Sequence, residues 1–341
     1  MYLRQYLLVF IASLSLAALL TPLAGRLGHR LGIVDRPGGR RGHRGEVPRL
    51  GGIAVFLAFV VAVGVGQALG IPTADEKEPL RLLGLLAGSV MLFVVGLIDD
   101  RWELRPLPQF LAQLTAAAIA IATLIIVERF NNPLTNEVVI LPPIYYVPLT
   151  TLWIVGMINT VNWLDGLGGL AAGVGAILCA VLAVHMHRVG QPSVALLPLA
   201  LLGAMLGFLP YNFAPSRVFL GSAGAFFLGY ALGGLGLIAG ARVATVLMVM
   251  GLPIVDVAWQ IFDRLRHRRS PAQADRGHLH FRLLDLGLSE RAIVLLYWSF
   301  CALFGLLALT ISSRLYKLLA LVGIAVVVIL GLASLSRGRE R

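Results

Sequence analysis

The sequence predicts an all-α, polytopic integral membrane bundle of about eleven transmembrane helices, and three observations predict it. Hydrophobic residues make up 58% of the 341 residues and charged residues only 13%, with a mean hydropathy of +0.86; this lies outside the range of soluble globular chains. Apolar runs of about 20 residues, enough to cross about 30 Å of hydrocarbon as helix, recur along the whole length. The short alternating segments of a membrane β-barrel do not occur.

Taken in order, the apolar runs place helices near residues 3–24, 51–70, 80–98, 107–127, 144–162, 166–186, 193–212, 222–240, 243–262, 289–312 and 314–335. The first run has no basic leader beyond Arg4 and no A-x-A cleavage site, so it is expected to stay as a span. The whole of 1–341 reads as one transmembrane domain, with loops at 25–50 and 263–288 on the cytoplasmic side. Charge sets this orientation. With the N-terminus outside and the C-terminus inside, the inner loops and tail collect 20 of the 28 lysines and arginines and leave eight outside. The net charge of +11 is therefore explained by orientation, and no nucleic-acid motif accompanies it. Cys179 and Cys301 both lie in apolar runs, which supports neither a disulfide framework nor a zinc site.

The polar residues inside these runs carry the functional signal. Asp99 and Asp100 close the third run, although an ionised side chain at bilayer depth costs roughly 2.5–3.5 kcal/mol and needs a partner or a watery cavity. Asn159, Asn162 and Asp165 close the fifth at a spacing of three, which is expected to align them on one helical side. The glycine-rich turn that follows Asp165 brings backbone amides near any bound anion, although close helix packing explains such glycines equally well. Asp256, after Pro253, adds a carboxylate at similar depth, with a buried interhelical contact as its competing explanation. Two basic loops flank these residues: Asp35 to Gly52, and Asp263 to Arg282 with His278 and His280. Most of the arginines need no more than anionic lipid headgroups. Carboxylates, arginines and histidines on one side suit a divalent cation held by aspartates and phosphates held by cations.

The motifs Pro48-Arg49-Leu50-Gly51-Gly52, Asp99-Asp100-Arg101, Asn162-Trp163-Leu164-Asp165-Gly166, Phe219-Leu220-Gly221, Pro253-Ile254-Val255-Asp256 and Gly277-His278-Leu279-His280 follow one another along the chain. In this order the chain resembles the polyprenyl-phosphate N-acetylhexosamine-1-phosphate transferases, which are related to the phospho-N-acetylmuramoyl-pentapeptide transferases. The resemblance implies Mg2+-dependent transfer of a sugar 1-phosphate from a UDP-sugar to undecaprenyl or another polyprenyl phosphate, with release of UMP. Mn2+ is the alternative metal. The setting it implies is the bacterial cytoplasmic membrane, with the site on the cytoplasmic face, in the synthesis of cell-envelope polymers such as lipopolysaccharide or teichoic acid. A homodimer is compatible with it. By the same resemblance Asp99 and Asp100 would be catalytic, handling the lipid phosphate. Asp100 and Asp165 would bind the metal, and Asn162, Arg49, His278, His280 and Arg276 would bind substrate.

Three positions depart from the family pattern. Ser222 stands where a metal-binding aspartate is usual, Gly168 where Asp-Gly-x-Asp-Gly has its second aspartate, and Phe281 where relatives often carry another histidine. A neutral hydroxyl is a poorer ligand for a hard cation than a carboxylate. Two other readings therefore stand beside the active transferase: a catalytically impaired relative that binds carrier or nucleotide, and a transporter using the acids as an ion path. A serine nucleophile at Ser222 is strongly disfavoured, since Leu220 breaks G-x-S-x-G and no base is evident.

Overall fold

The apolar runs become helices because a chain in lipid has to satisfy its backbone internally. The computed structural model describes residues 2–36, 45–73, 75–135, 137–238, 243–268, 270 and 277–337. In chain order these form α1 (Leu3–Leu31), β1 (Val34–Asp35), β2 (Val47–Pro48), α2 (Gly51–Ala68), α3 (Glu78–Trp102), α4 (Pro106–Ala122), β3 (Arg129–Asn131), β4 (Val138–Ile140) and α5 (Pro143–Leu164). Then follow α6 (Leu170–Arg188), α7 (Pro192–Asn212), α8 (Gly221–Ile238), α9 (Val243–Val249), α10 (Gly251–Arg266), α11 (Leu279–Asp285), α12 (Glu290–Thr310) and α13 (Arg314–Arg337). Proline opens α4, α5 and α7, where its missing N–H costs nothing. The Ser289 side chain accepts from the Ala292 amide and caps α12.

Among the described residues nine helices are long and apolar enough to cross a membrane, and α4 is a shorter apolar helix. The protein is thus a multi-pass helical membrane protein. Every expected helix has a counterpart, with three differences. The expected ninth helix, 243–262, is broken: α9 and α10 meet at an angle of 83°. The expected loop at 263–288 contains the end of α10 and all of α11, and the expected loop at 25–50 begins with the last turns of α1. Charged and histidine side chains at these helix ends hid their continuation past the apolar run.

The bundle is organised around α8, which is buried from Gly221 to Ile238 and lies against α3 and α5. Helices α1, α2, α6 and α7 pack beside them. Backbone bonds also join the chain before α2 to the chain before α8: the Phe219 amide donates to the Pro48 carbonyl at 2.8 Å and the Gly52 amide to the Leu220 carbonyl at 2.8 Å. These bonds hold the starts of α2 and α8 together at the bundle end where α3 and α5 finish.

Candidate active site

The meeting point of α3 and α8 is a carboxylate on a helix N-terminus. The Ser222 amide donates to Asp100 Oδ1 at 2.8 Å and the Ala223 amide to Oδ2 at 3.0 Å, satisfying two of the amides that a helix start leaves without intrahelical partners and opposing its positive dipole end. Only glycine fits the junction. Gly221 has a φ of +74°, and a Cβ there would collide with the Arg49 carbonyl and approach Asp100 Oδ2 to 2.8 Å. The Arg49 side chain runs between two acids, with Nε 3.7 Å from Asp100 and Nη1 3.8 Å from Glu103.

Arg49, Asn162, Asp165, Gly166, Phe219, Gly221 and Ser222 line one cleft of about 70 Å3. That is far below the roughly 300–1,000 Å3 of a pocket enclosing a whole small molecule. A cleft of this size takes a phosphate-sized group and leaves the rest of a larger ligand over its mouth. Its polar lining combines one guanidinium with carboxylate, amide and hydroxyl oxygens. Among the described residues no three His, Cys, Asp or Glu side chains form a metal cage. Mg2+ needs no such cage, because it is held through one or two carboxylates plus substrate phosphates and keeps several waters. Asp165, Asn162 and Ser222 fit that mode by their donor chemistry.

Beside this cleft α10 presents a buried polar stripe, Asp256, Gln260 and Arg264, at a spacing of four. Asp256 Oδ2 lies 3.0 Å from His278 Nδ1, and Oδ1 accepts from the Leu279 amide at 2.9 Å. Gln260 Nε2 donates to the Gly277 carbonyl at 2.5 Å. Arg264 lies over the Trp163 ring at 5.3 Å, and Trp163 in turn is 5.4 Å from the His278 ring. His280 lies parallel to His278 at 5.6 Å, and a Cβ on Gly166 would come within 2.7 Å of His280 Nε2. Both histidines are buried next to the turn that carries Asp165.

The structure therefore gathers Arg49, Asp100, Asn162, Asp165 and Ser222 at one end of the bundle, with His278 and His280 adjoining. Asp99 faces elsewhere, accepting from the Leu104 amide at 2.9 Å and Gln109 Nε2 at 2.8 Å. Asn159 departs from the expected alignment: its side chain pairs with Gln113 of α4 at 2.6 Å. Six residues on, Asp165 is rotated by about 120° on a helix of 3.6 residues per turn, so the two cannot share a face. Arg276 lies outside the described residues. Sequence reasoning missed Gln109 and Gln113, although two glutamines one turn apart in an apolar helix form a readable polar stripe. At Gly168 an added Cβ would collide with Ser216 Oγ, so the hydroxyl stands close to where a carboxylate would begin.

Residues 82–240, from α3 to the end of α8, match the family model described as Glycosyl transferase family 4. Across 91% of its length the chain is 33% identical to the Bacillus subtilis protein named "Probable undecaprenyl-phosphate N-acetylglucosaminyl 1-phosphate transferase", covering 86% of that relative. It is 31% identical over 98% of its length to the Mycobacterium tuberculosis decaprenyl-phosphate N-acetylglucosaminephosphotransferase, covering 89% of it. It is 28% identical over 79% of its length to the Salmonella typhi undecaprenyl-phosphate alpha-N-acetylglucosaminyl 1-phosphate transferase, covering 74% of it. With sequence motifs, bundle and relatives in agreement, the chain belongs to glycosyl transferase family 4, among the polyprenyl-phosphate N-acetylhexosamine-1-phosphate transferases.

Proposed function

We propose that this protein transfers an N-acetylhexosamine 1-phosphate from a UDP-sugar to a polyprenyl phosphate and releases UMP. An oxygen of the lipid phosphate attacks the sugar-bearing phosphorus, the bond from that phosphorus to the bridging oxygen breaks, and UMP leaves with the bonding electron pair. Two anions have to meet for this, so cationic groups at the site offset their repulsion and the charge that develops. The observation that carries the reading is the convergence of Arg49, Asn162, Asp165 and Ser222 on one cleft at the C-terminal end of α5.

Arg49 supplies fixed positive charge at the cleft, held by Asp100 and Glu103. Asp100 anchors the start of α8 and so positions Ser222. Asp165, with Asn162 and Ser222, would hold Mg2+, which when bound supplies further neutralisation of phosphate charge. His278, oriented by Asp256, adds a donor beside the cleft for the donor diphosphate. The transporter reading requires polar groups through the bundle, whereas α8 carries only Ser222 and Tyr230 as polar side chains. The transferase names of the relatives favour activity over the silent binding alternative. The charge pattern supports a cytoplasmic cleft in the bacterial inner membrane, with eleven passes from an outer N-terminus to an inner C-terminus.

The test is UMP release by protein purified in detergent, given undecaprenyl phosphate and a panel of UDP-N-acetylhexosamines with Mg2+, Mn2+ or chelator. The expected outcome is metal-dependent UMP release with at least one donor. No release across the panel overturns the proposal.

A further inference from the structure

A second cavity lies at the opposite end of α5 from the cleft, and the transferase chemistry makes no use of it. Leu149 lines it while Asn162 and Asp165 line the cleft, so about 20–24 Å along the helix separates them at 1.5 Å per residue. The cavity is large, about 640 Å3, within the roughly 300–1,000 Å3 of ligand pockets. Three cations face it: Arg129 from the β3–β4 hairpin, and Arg314 and Lys317 from the first turn of α13. No aspartate or glutamate is among its described lining residues. Arg129, Arg314 and Lys317 are three of only eight lysines and arginines that the charge pattern leaves for that side of the membrane.

The rest of the wall is mainly apolar. Phe130, Val243, Leu318 and Leu321 contribute to it. Next to Leu318 and Leu321 on α13, Leu319 and Val322 are 55% and 52% exposed, so the apolar wall continues onto the lipid-facing surface of that helix. Gln191 and His185 also line the cavity. Clustered cations beside an apolar wall that opens toward lipid disfavour a soluble anion, which brings nothing to cover the apolar surface, and favour an anionic amphiphile.

We propose that this cavity binds one anionic phospholipid from the leaflet opposite the cleft, with its phosphate on Arg129, Arg314 and Lys317 and part of an acyl chain along Leu318 and Leu321. The experiment is native mass spectrometry of the delipidated full chain in neutral detergent, titrated with dioleoyl phosphatidylglycerol or dioleoyl phosphatidylcholine, with inorganic phosphate as competitor. One saturable phosphatidylglycerol adduct is expected, at least tenfold tighter than that of phosphatidylcholine and unaffected by millimolar phosphate. The R314A/K317A pair should weaken it at least tenfold, and R314K should retain it. If the double variant does not fold, R129A on the hairpin is expected to weaken binding several-fold. Equal binding of the two lipids, indifference to the charge-removing variants, or displacement by inorganic phosphate would overturn the proposal.

Discussion

Helices α8 and α13 are both apolar along their length, yet one is the centre of the protein and the other its edge. The most apolar stretch of α8 is buried completely, against 17% of that of α13, although α13 is the more hydrophobic of the two. In lipid the hydrophobic effect does not drive helices together, because acyl chains are as apolar as leucine; close packing through small residues does. Helix α8 carries six glycines and α13 two. Small residues therefore mark the central helix better than hydrophobicity does. The N-terminus of that central helix is also where the cleft forms.

The comparison breaks most strongly at the junction of α8 with α3. Asp100→Ala leaves two helix-start amides and Arg49 without their carboxylate, and should lower stability by about 3 kcal/mol, at the low end for breaking a buried charged pair. Thermal unfolding in detergent would measure it, with UMP release lost in parallel; an unchanged midpoint would remove α8's anchor from the account. Next comes Gly96→Val, since a Cβ at Gly96 runs into the Ala223 backbone. Overpacking there should cost about 1–3 kcal/mol in the same measurement.

A smaller and sign-dependent effect is expected for Ser222→Asp. The added carboxylate stands beside Asp100, so with chelator the variant should unfold about 1 kcal/mol more easily, as like charges oppose each other. With Mg2+ it should recover more stability than the wild type does, because a cation bound only by the folded state stabilises it by mass action. Equal Mg2+ responses of the two proteins would show that Ser222 does not face a metal. At the far end of the scale, Val327→Ala on the exposed side of α13, where Val327 is 66% exposed, should move the midpoint by less than about 0.5 kcal/mol. A larger loss would mean that α13 is covered by something other than lipid.

The cleft was legible where motif residues sit at helix ends. Arg49, Asn162, Asp165 and Ser222 each stand within a few residues of a helix terminus, and the common side of those termini follows from counting spans. The pairing of Asp99 and Asp100 was less legible. Consecutive helical residues diverge by about 100°, so one carboxylate turned to α8 and its neighbour to Gln109. The 83° break between α9 and α10 was hidden because an apolar run reads the same straight or bent. Helix α10, beyond that break, carries Asp256, Gln260 and Arg264, whose partners at Gly277, His278 and Trp163 lie far away in sequence.

By itself the sequence determined that this chain is a multi-pass helical bundle of a recognisable family, because hydrocarbon thickness and backbone satisfaction leave a run of about 20 apolar residues little choice but helix. Only the tertiary structure decided which helix is central, which of two adjacent aspartates reaches the α8 amides, and that a basic cavity lies at the other end. Those outcomes depend on rotation about helix axes and on backbone approach at glycines, and hydropathy is blind to both.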